Sequence, residues 1–241
     1  MDSFDNNVSQ EPIYGYDSRK SNAIDNDDNS ILTRVFGWMA VGLGISAISA
    51  LAAFKLFGIY MYLPIVYIIL LVAEIALVVI LSSRITKMSA NAAKGCFIGY
   101  SIVNGLTLSV LFFVYTTISI YTTFFIAASM FAVAAIYGKL TKRDLSGART
   151  YLVMALWGLI IGGLVNLFMQ NDFLDYIVSG LGILVFIGLT AYDVNRIKDL
   201  AVEEGFNETT QKIAIWGALT LYLDFINLFV RLLKFFGKRN N

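Results

Sequence analysis

Residues 212–234 have the sequence KIAIWGALTLYLDFINLFVRLLK. Between the two terminal lysines, this stretch contains only two charged residues, Asp224 and Arg231. A helix of about 20 predominantly apolar residues is long enough to cross the hydrocarbon core of a bilayer. The stretch therefore predicts a membrane-spanning helix that carries an acidic side chain near its middle.

Six further apolar stretches of similar length precede it. They are residues 35–57, 61–83, 96–115, 119–138, 151–169 and 175–197. The chain of 241 residues is 58% hydrophobic and 15% charged, and its mean hydropathy is +0.71. Soluble domains are about 25% charged, so this composition excludes a soluble globular enzyme. It predicts an all-α, polytopic membrane protein with seven transmembrane helices in one bundle.

The chain divides into three predicted segments. Residues 1–30 are rich in Asn, Asp and Ser, carry a net charge of −5 and lack an apolar period, so they predict a disordered acidic tail. Residues 31–237 form the predicted seven-helix transmembrane domain, and residues 238–241 form a short basic tail.

Basic residues concentrate in every second joint between the apolar stretches. The joints after the second, fourth and sixth stretches contain Arg84, Lys87, Lys94, Lys139, Lys142, Arg143, Arg149, Arg196, Lys198 and Lys212, whereas the alternate joints contain only Lys55. Because basic loops stay on the cytoplasmic side, these three joints and the N-terminus are expected to be cytoplasmic. The expected location is the plasma (inner) membrane for a prokaryotic source and an internal membrane for a eukaryotic one.

The last apolar stretch leaves two topologies open. A full seventh span would place Arg231, Lys234, Lys238 and Arg239 outside, against the same charge rule. A segment that dips into the membrane and returns would keep them inside. We favour the full span because the earlier helices dominate the orientation.

The chain has no histidine and a single cysteine, Cys96. The usual imidazole proton acceptor is therefore missing, and an intrachain disulfide cannot form. Chemistry that depends on protons or cations must use carboxylates. No cofactor is expected, and no nucleic-acid partner. The lipid bilayer is the expected partner.

Three acidic residues fall inside the apolar stretches: Glu74, Asp193 and Asp224. Such residues persist in a bilayer only when they are neutralised, paired or exposed to water. At 1.5 Å per residue, Glu74 and Asp224 lie about 15 and 18 Å from the cytoplasmic rim, and Asp193 lies about 10 Å shallower than Asp224. Asn227 follows Asp224 on the same helix face. A purely structural role remains the alternative, in which each carboxyl group is protonated and hydrogen-bonds a neighbouring helix.

The segments AYDVNRIK around Asp193 and LYLDFINLFVRLLKFFG around Asp224 resemble the Bax inhibitor family, and its bacterial members most of all. The resemblance covers about residues 31–237. It implies a bundle with the last helix at the centre and a pH-sensitive calcium leak. It further implies a hydrogen-bonded proton sensor formed by Asp193 and Asp224. Arg84 would compete for Asp193 as a latch, and Glu74 matches a family glutamate.

A pair of buried carboxyl groups suits such a mechanism on physical grounds. Two carboxylates at hydrogen-bonding distance cannot both ionise cheaply, so they hold one proton between them and titrate as a unit. Loss of that proton leaves two anions, which separate unless a cation joins them. Asp193 and Asp224 are therefore candidate calcium ligands. Glu74, Asp224 and Asn227 are candidate residues of the ion pathway.

The same residues bear on other functions. A non-conducting scaffold that modulates partners and a proton-coupled cation transporter both remain open. An intramembrane aspartyl protease fits Tyr192-Asp193 but not the second site, because Leu223 precedes Asp224 where a glycine is needed and no proline follows Pro64. A retinal protein is excluded, since no lysine lies between Lys212 and Lys234. We therefore expect a protein that is not an enzyme.

Overall fold

The structure is a computed structural model that describes the backbone of residues 14–57, 63–85, 87–204 and 208–240. Side chains are described for residues 31–56, 63–85, 87–200 and 210–240. The described residues form eight helices: α1 (Tyr14–Phe57), α2 (Pro64–Arg84), α3 (Ala90–Leu108), α4 (Leu111–Val114), α5 (Thr117–Leu140), α6 (Ser146–Met169), α7 (Asp172–Glu204) and α8 (Glu208–Phe236).

The seven predicted transmembrane helices are confirmed for the described part of the chain. The segments long and apolar enough to cross a membrane are Ile31–Leu56, Pro64–Arg84, Ala90–Val114, Thr117–Leu140, Ser146–Met169, Asp172–Leu200 and Thr210–Phe236. The third span is completed by the one-turn helix α4, which follows α3 after a two-residue turn. All-helical spans are expected, because a backbone in hydrocarbon must satisfy its hydrogen bonds within each segment.

Local sequence explains where several helices begin. Pro64 occupies the first turn of α2, where its missing N–H is not needed. The Ser89 side chain accepts a hydrogen bond from the Ala92 N–H at the start of α3. Thr116 accepts one from the Ser119 N–H at the start of α5. These caps satisfy backbone donors that the first turn of a helix leaves unpaired.

Helix α1 begins at Tyr14, within the segment that the sequence predicted to be disordered. A helix nucleated in the apolar stretch can extend into polar residues without a second nucleation cost, which gives a physical reason for the difference. The remainder of the predicted tail, residues 1–13, lies outside the described residues.

Helix α8 is the most buried of the spans. In its most apolar segment 61% of residues are buried, compared with 6% for α2 and 6% for α6. It packs against α1, α3, α5 and α7, whereas α2 packs mainly on α3, and α6 on α7. The exposed faces of α2 and α6 carry large apolar side chains such as Ile68, Ile75, Trp157 and Phe168. These faces therefore form much of the lipid-facing surface.

The end of α8 settles the topology that the sequence left open. The helix is continuous through Phe236, and the Lys238 carbonyl then accepts a hydrogen bond from the Thr116 N–H at 3.0 Å. The Asn240 N–H donates to the Val114 carbonyl at 2.9 Å. The last helix is therefore a full span, and its C-terminal end meets the joint between the third and fourth spans.

Candidate functional site

Asp193 and Asp224 meet inside the bundle, between α7 and α8. Only 8% of Asp193 and 5% of Asp224 is exposed, and their carboxyl groups approach within hydrogen-bonding range. Oδ2 of Asp224 is buried and has no donor among the residues that the structure describes. A proton held between the two carboxyl groups would satisfy that oxygen, because a carboxylate can only accept.

The depths estimated from the sequence did not anticipate this contact. Helix α7 continues to Glu204 and its apolar span to Leu200, so Asp193 lies seven residues, or about 10 Å, before the end of the span. Helix α8 begins at Glu208, four residues earlier than the sequence indicated. Both extensions place the pair farther from the joint between α7 and α8 than the sequence indicated.

Helix α5 makes a very close contact with α7 near the pair. A Cβ atom added at Gly138 would collide with the backbone carbonyl of Ala191, two residues before Asp193. The Asn195 side-chain N–H donates to the Gly138 carbonyl at 3.4 Å. A residue without a side chain is therefore required at position 138 for α5 to lie this close to α7.

The positive charges that act on Asp193 are those of Arg196 and Arg149. Arg196 lies over the Trp216 ring, 5.1 Å from its centroid, which holds the guanidinium close to α8. Arg84 is exposed at the end of α2, a helix that packs mainly on α3. The structure therefore does not place the predicted latch residue beside Asp193, and the sequence analysis did not single out Arg149 or Arg196.

Glu74 belongs to a separate polar cluster on the other side of α8. Its carboxyl group lies close to Thr107 and Asn104 of α3, and its Oε1 is buried without a hydrogen-bond partner in the described chain. The Tyr222 hydroxyl donates to Asn104 Oδ1 at 2.8 Å and lies 2.6 Å from Ser46 Oγ of α1. We call Glu74, Asn104, Tyr222 and Ser46 the polar chain.

The sequence grouped Glu74 with Asp224 by depth, and the structure separates them. Tyr222 and Asp224 are two residues apart on one helix, which places them about 200° apart around its axis. Tyr222 faces α1 and α3, whereas Asp224 faces α7. Depth along the membrane normal contains no information about rotation around a helix, so the sequence estimate could not detect this separation.

Asn227 lies beside a polar cavity that opens at the C-terminal end of α8. The cavity has a volume of about 460 Å³. Its polar lining consists of Asn166, Gln170, Asn171, Asp172, Asp175, Asn227, Arg231 and Lys234. Lys234 Nζ forms an ion pair with Asp175 Oδ1 at 3.1 Å in its wall. We call this space the vestibule; Asn227 lies three residues, or about 4.5 Å, beyond Asp224 along the helix.

A protein-family model described as "Inhibitor of apoptosis-promoting Bax1" matches residues 28–241. The chain belongs to the Bax inhibitor family. It is 43% identical over 213 residues to the inner membrane protein YbhL of Escherichia coli strain K12, covering 86% of this chain and 91% of that protein. It is also 40% identical over 217 residues to an uncharacterized protein of Borreliella burgdorferi, covering 88% of this chain and 94% of that protein.

A third relative is an uncharacterized protein of Rickettsia prowazekii. The identity is 35% over 224 residues, covering 92% of this chain and 95% of that protein. The family model extends through both segments that suggested the resemblance, those around Asp193 and Asp224. The protein is therefore a multi-pass integral membrane protein of this family.

Proposed function

We propose that this protein is a pH-sensitive, calcium-permeable leak channel and that the Asp193–Asp224 pair forms its gate. The observation that carries the proposal is the contact of two buried carboxyl groups from adjacent helices, one with an oxygen that has no hydrogen-bond partner among the described residues. With no histidine in the chain, a carboxyl pair is the available group for sensing protons in the bundle.

A shared proton would hold α7 and α8 together through one hydrogen bond. When that proton leaves, two anions face each other in a medium of low dielectric constant, and their repulsion favours separation of the helices. A cation that enters between them offsets the repulsion. Protons and calcium would therefore compete for the same pair of oxygen-bearing groups.

Calcium in this proposal is the permeant ion and not a resident cofactor. Calcium takes six to eight oxygen ligands, and two aspartates provide only part of such a shell. Across the described residues, no three Asp, Glu, Cys or His side chains form a group that could hold a metal ion. Water would complete the shell, which suits an ion that passes through rather than one that stays.

The vestibule supplies a route from the C-terminal end of α8 toward the pair. It is polar and reaches Asn227, which shares a helix face with Asp224. We propose that this end faces away from the cytoplasm, that Arg149 and Arg196 lie on the cytoplasmic side of the pair, and that the protein resides in the plasma membrane. We propose no enzymatic activity for it.

The test is calcium flux into proteoliposomes of the purified protein, measured across pH. Asp193→Asn and Asp224→Asn should each abolish the pH dependence, because an amide cannot exchange the shared proton. Asp144→Asn is the matched control, since Asp144 lies in the exposed joint between α5 and α6 and bonds only to nearby Ser146 in the described chain. It should leave the pH profile unchanged.

Arg84→Ala tests the latch role in the same assay. If Arg84 takes Asp193 once the pair has lost its proton, its removal should shift the pH midpoint without erasing the pH dependence. If both Asp→Asn variants keep the pH dependence of calcium flux, the role of the Asp193–Asp224 pair as proton sensor is rejected. Calcium accumulation against a gradient would favour the proton-coupled transporter, and absence of flux in the unsubstituted protein would favour the scaffold.

A further inference from the structure

A second cavity lies on the opposite side of α8 from the Asp193–Asp224 pair, between α1 and α5. It has a volume of about 290 Å³. Helix α8 forms its floor with Ile226 and Phe229, and α4 closes one end with Phe112. We call this space the α1–α5 crevice. Every residue that lines it belongs to a membrane-spanning segment, so it lies within the depth of the bilayer.

The lining of the crevice is almost entirely apolar. Ser46 and Tyr121 provide its only side-chain hydroxyl groups, and Ser46 Oγ already bonds the Ser101 carbonyl at 2.7 Å and contacts Tyr222. Apolar cavities of about 150 Å³ stay dry and bind benzene, so this larger one is suited to an apolar guest and unsuited to water.

The mouth of the crevice is continuous with the lipid-facing surface. At its rim, Leu51 is 37% exposed, Tyr121 52% and Phe125 70%, whereas Ala50 and Phe229 in its depth are each 6% exposed. The molecules that contact this part of the surface are bilayer lipids. An empty crevice would leave its wall atoms without dispersion partners, which an acyl chain can supply.

We propose that the α1–α5 crevice binds one acyl chain of a bilayer phospholipid. The chain would lie against Ile226 and Phe229 of α8 and between the walls formed by α1 and α5. It would also contact Ser46, one end of the polar chain, so the bound lipid borders the same helix that carries Asp224. This site is independent of the proposed calcium leak, and its test does not measure ion flux.

The test uses the full chain with Trp38, Trp157 and Trp216 replaced by phenylalanine, reconstituted in phosphatidylcholine whose acyl chains are brominated. Bromine quenches tryptophan fluorescence only at close range. Phe229→Trp reports from the floor of the crevice, and Phe131→Trp is a matched control, because both phenylalanines are 6% exposed and Phe131 lies outside the crevice. An occupied crevice should give stronger quenching at position 229 than at position 131.

A second substitution removes the space itself. Ala47 is exposed and lines the crevice, so Ala47→Phe should fill it and lower the quenching at position 229 to that at position 131. Ile48→Phe, at a neighbouring position that is 71% exposed and outside the lining, should change nothing. If Phe229→Trp does not fold, Phe112→Trp reports from the closed end. Equal quenching at the crevice and control positions, or quenching unaffected by Ala47→Phe, overturns the proposal.

Discussion

Tyr222 connects three helices through one hydroxyl group. It contacts Ser46 of α1 and Asn104 of α3, and its ring packs edge-on against Phe97 and Tyr100. The side chain is fully buried, so its hydroxyl group must find partners within the protein. Asp224, on the other face of the same helix, finds its partner on α7. Helix α8 therefore makes polar contacts on two opposite sides, through Tyr222 on one and Asp224 on the other.

At this scale we predict that Tyr222→Phe lowers stability while the pH dependence of calcium flux is kept. The substitution leaves Asn104 Oδ1 without its donor, and such interhelical bonds average about 0.6 kcal/mol in membrane proteins, with a maximum of about 1.7. Thermal unfolding in detergent measures the loss. Tyr121→Phe, which removes an exposed hydroxyl group, should be neutral. Loss of pH dependence in Tyr222→Phe would instead make the polar chain part of the sensor.

At the level of helices, small residues set which elements come close. Gly42 and Ser46 of α1 meet Ser101 and Gly105 of α3, where an added Cβ at either glycine would collide with the neighbouring helix. Small residues permit close backbone approach in membranes, where the hydrophobic effect does not drive helices together. Gly158, by contrast, has open space around its Cβ position. The glycines of this chain therefore differ in role according to the helix that each one faces.

Gly138→Ala is expected to force α5 away from α7. The added methyl group would meet the Ala191 carbonyl, and overpacking of this kind costs about 1–3 kcal/mol. The thermal midpoint should fall, and the pH midpoint of calcium flux should shift because Asp193 lies two residues from the contact. Gly158→Ala is the matched control and should be neutral or slightly stabilising. A Gly138→Ala protein as stable as its control would contradict the role assigned to this contact.

At the scale of the whole molecule, successive joints between the spans lie at alternate ends of the bundle. Basic residues such as Lys142 and Arg143 lie in the exposed α5–α6 joint, at the end where the Lys198 side chain reaches the Lys139 carbonyl. At the other end, residues 238–240 contact the joint between α3 and α5. Because α8 spans fully, the basic C-terminal residues lie opposite to the basic joints despite their charge.

Single cysteines can test this arrangement in a Cys96→Ser background. A thiol reagent that does not cross membranes should label Lys238→Cys in intact cells whose outer plasma-membrane face is accessible. Lys142→Cys should be labelled only after permeabilisation. Both lysines are exposed, so accessibility to solvent is matched. Labelling of both from one side would contradict the full span of α8, and the reverse pattern would contradict the predicted cytoplasmic N-terminus.

The amino-acid sequence alone established the seven spans and the acidic residues within them. The reason is that crossing a bilayer requires about 20 apolar residues per helix, a one-dimensional property that can be counted along the chain. The segments around Asp193 and Asp224 likewise sufficed to suggest the family. Residues 14–30 show the limit, since their polar composition did not reveal that the backbone of α1 extends through them.

Only the tertiary structure determined which residues meet. Asp193 contacts Asp224, Tyr222 bonds Asn104 close to Glu74, and Arg84 is exposed at the end of α2. These contacts depend on how each helix is rotated about its axis. In hydrocarbon both the lipid-facing and the buried sides of a helix are apolar, so apolar periodicity cannot report that rotation, which small-residue contacts and buried polar pairs fix instead.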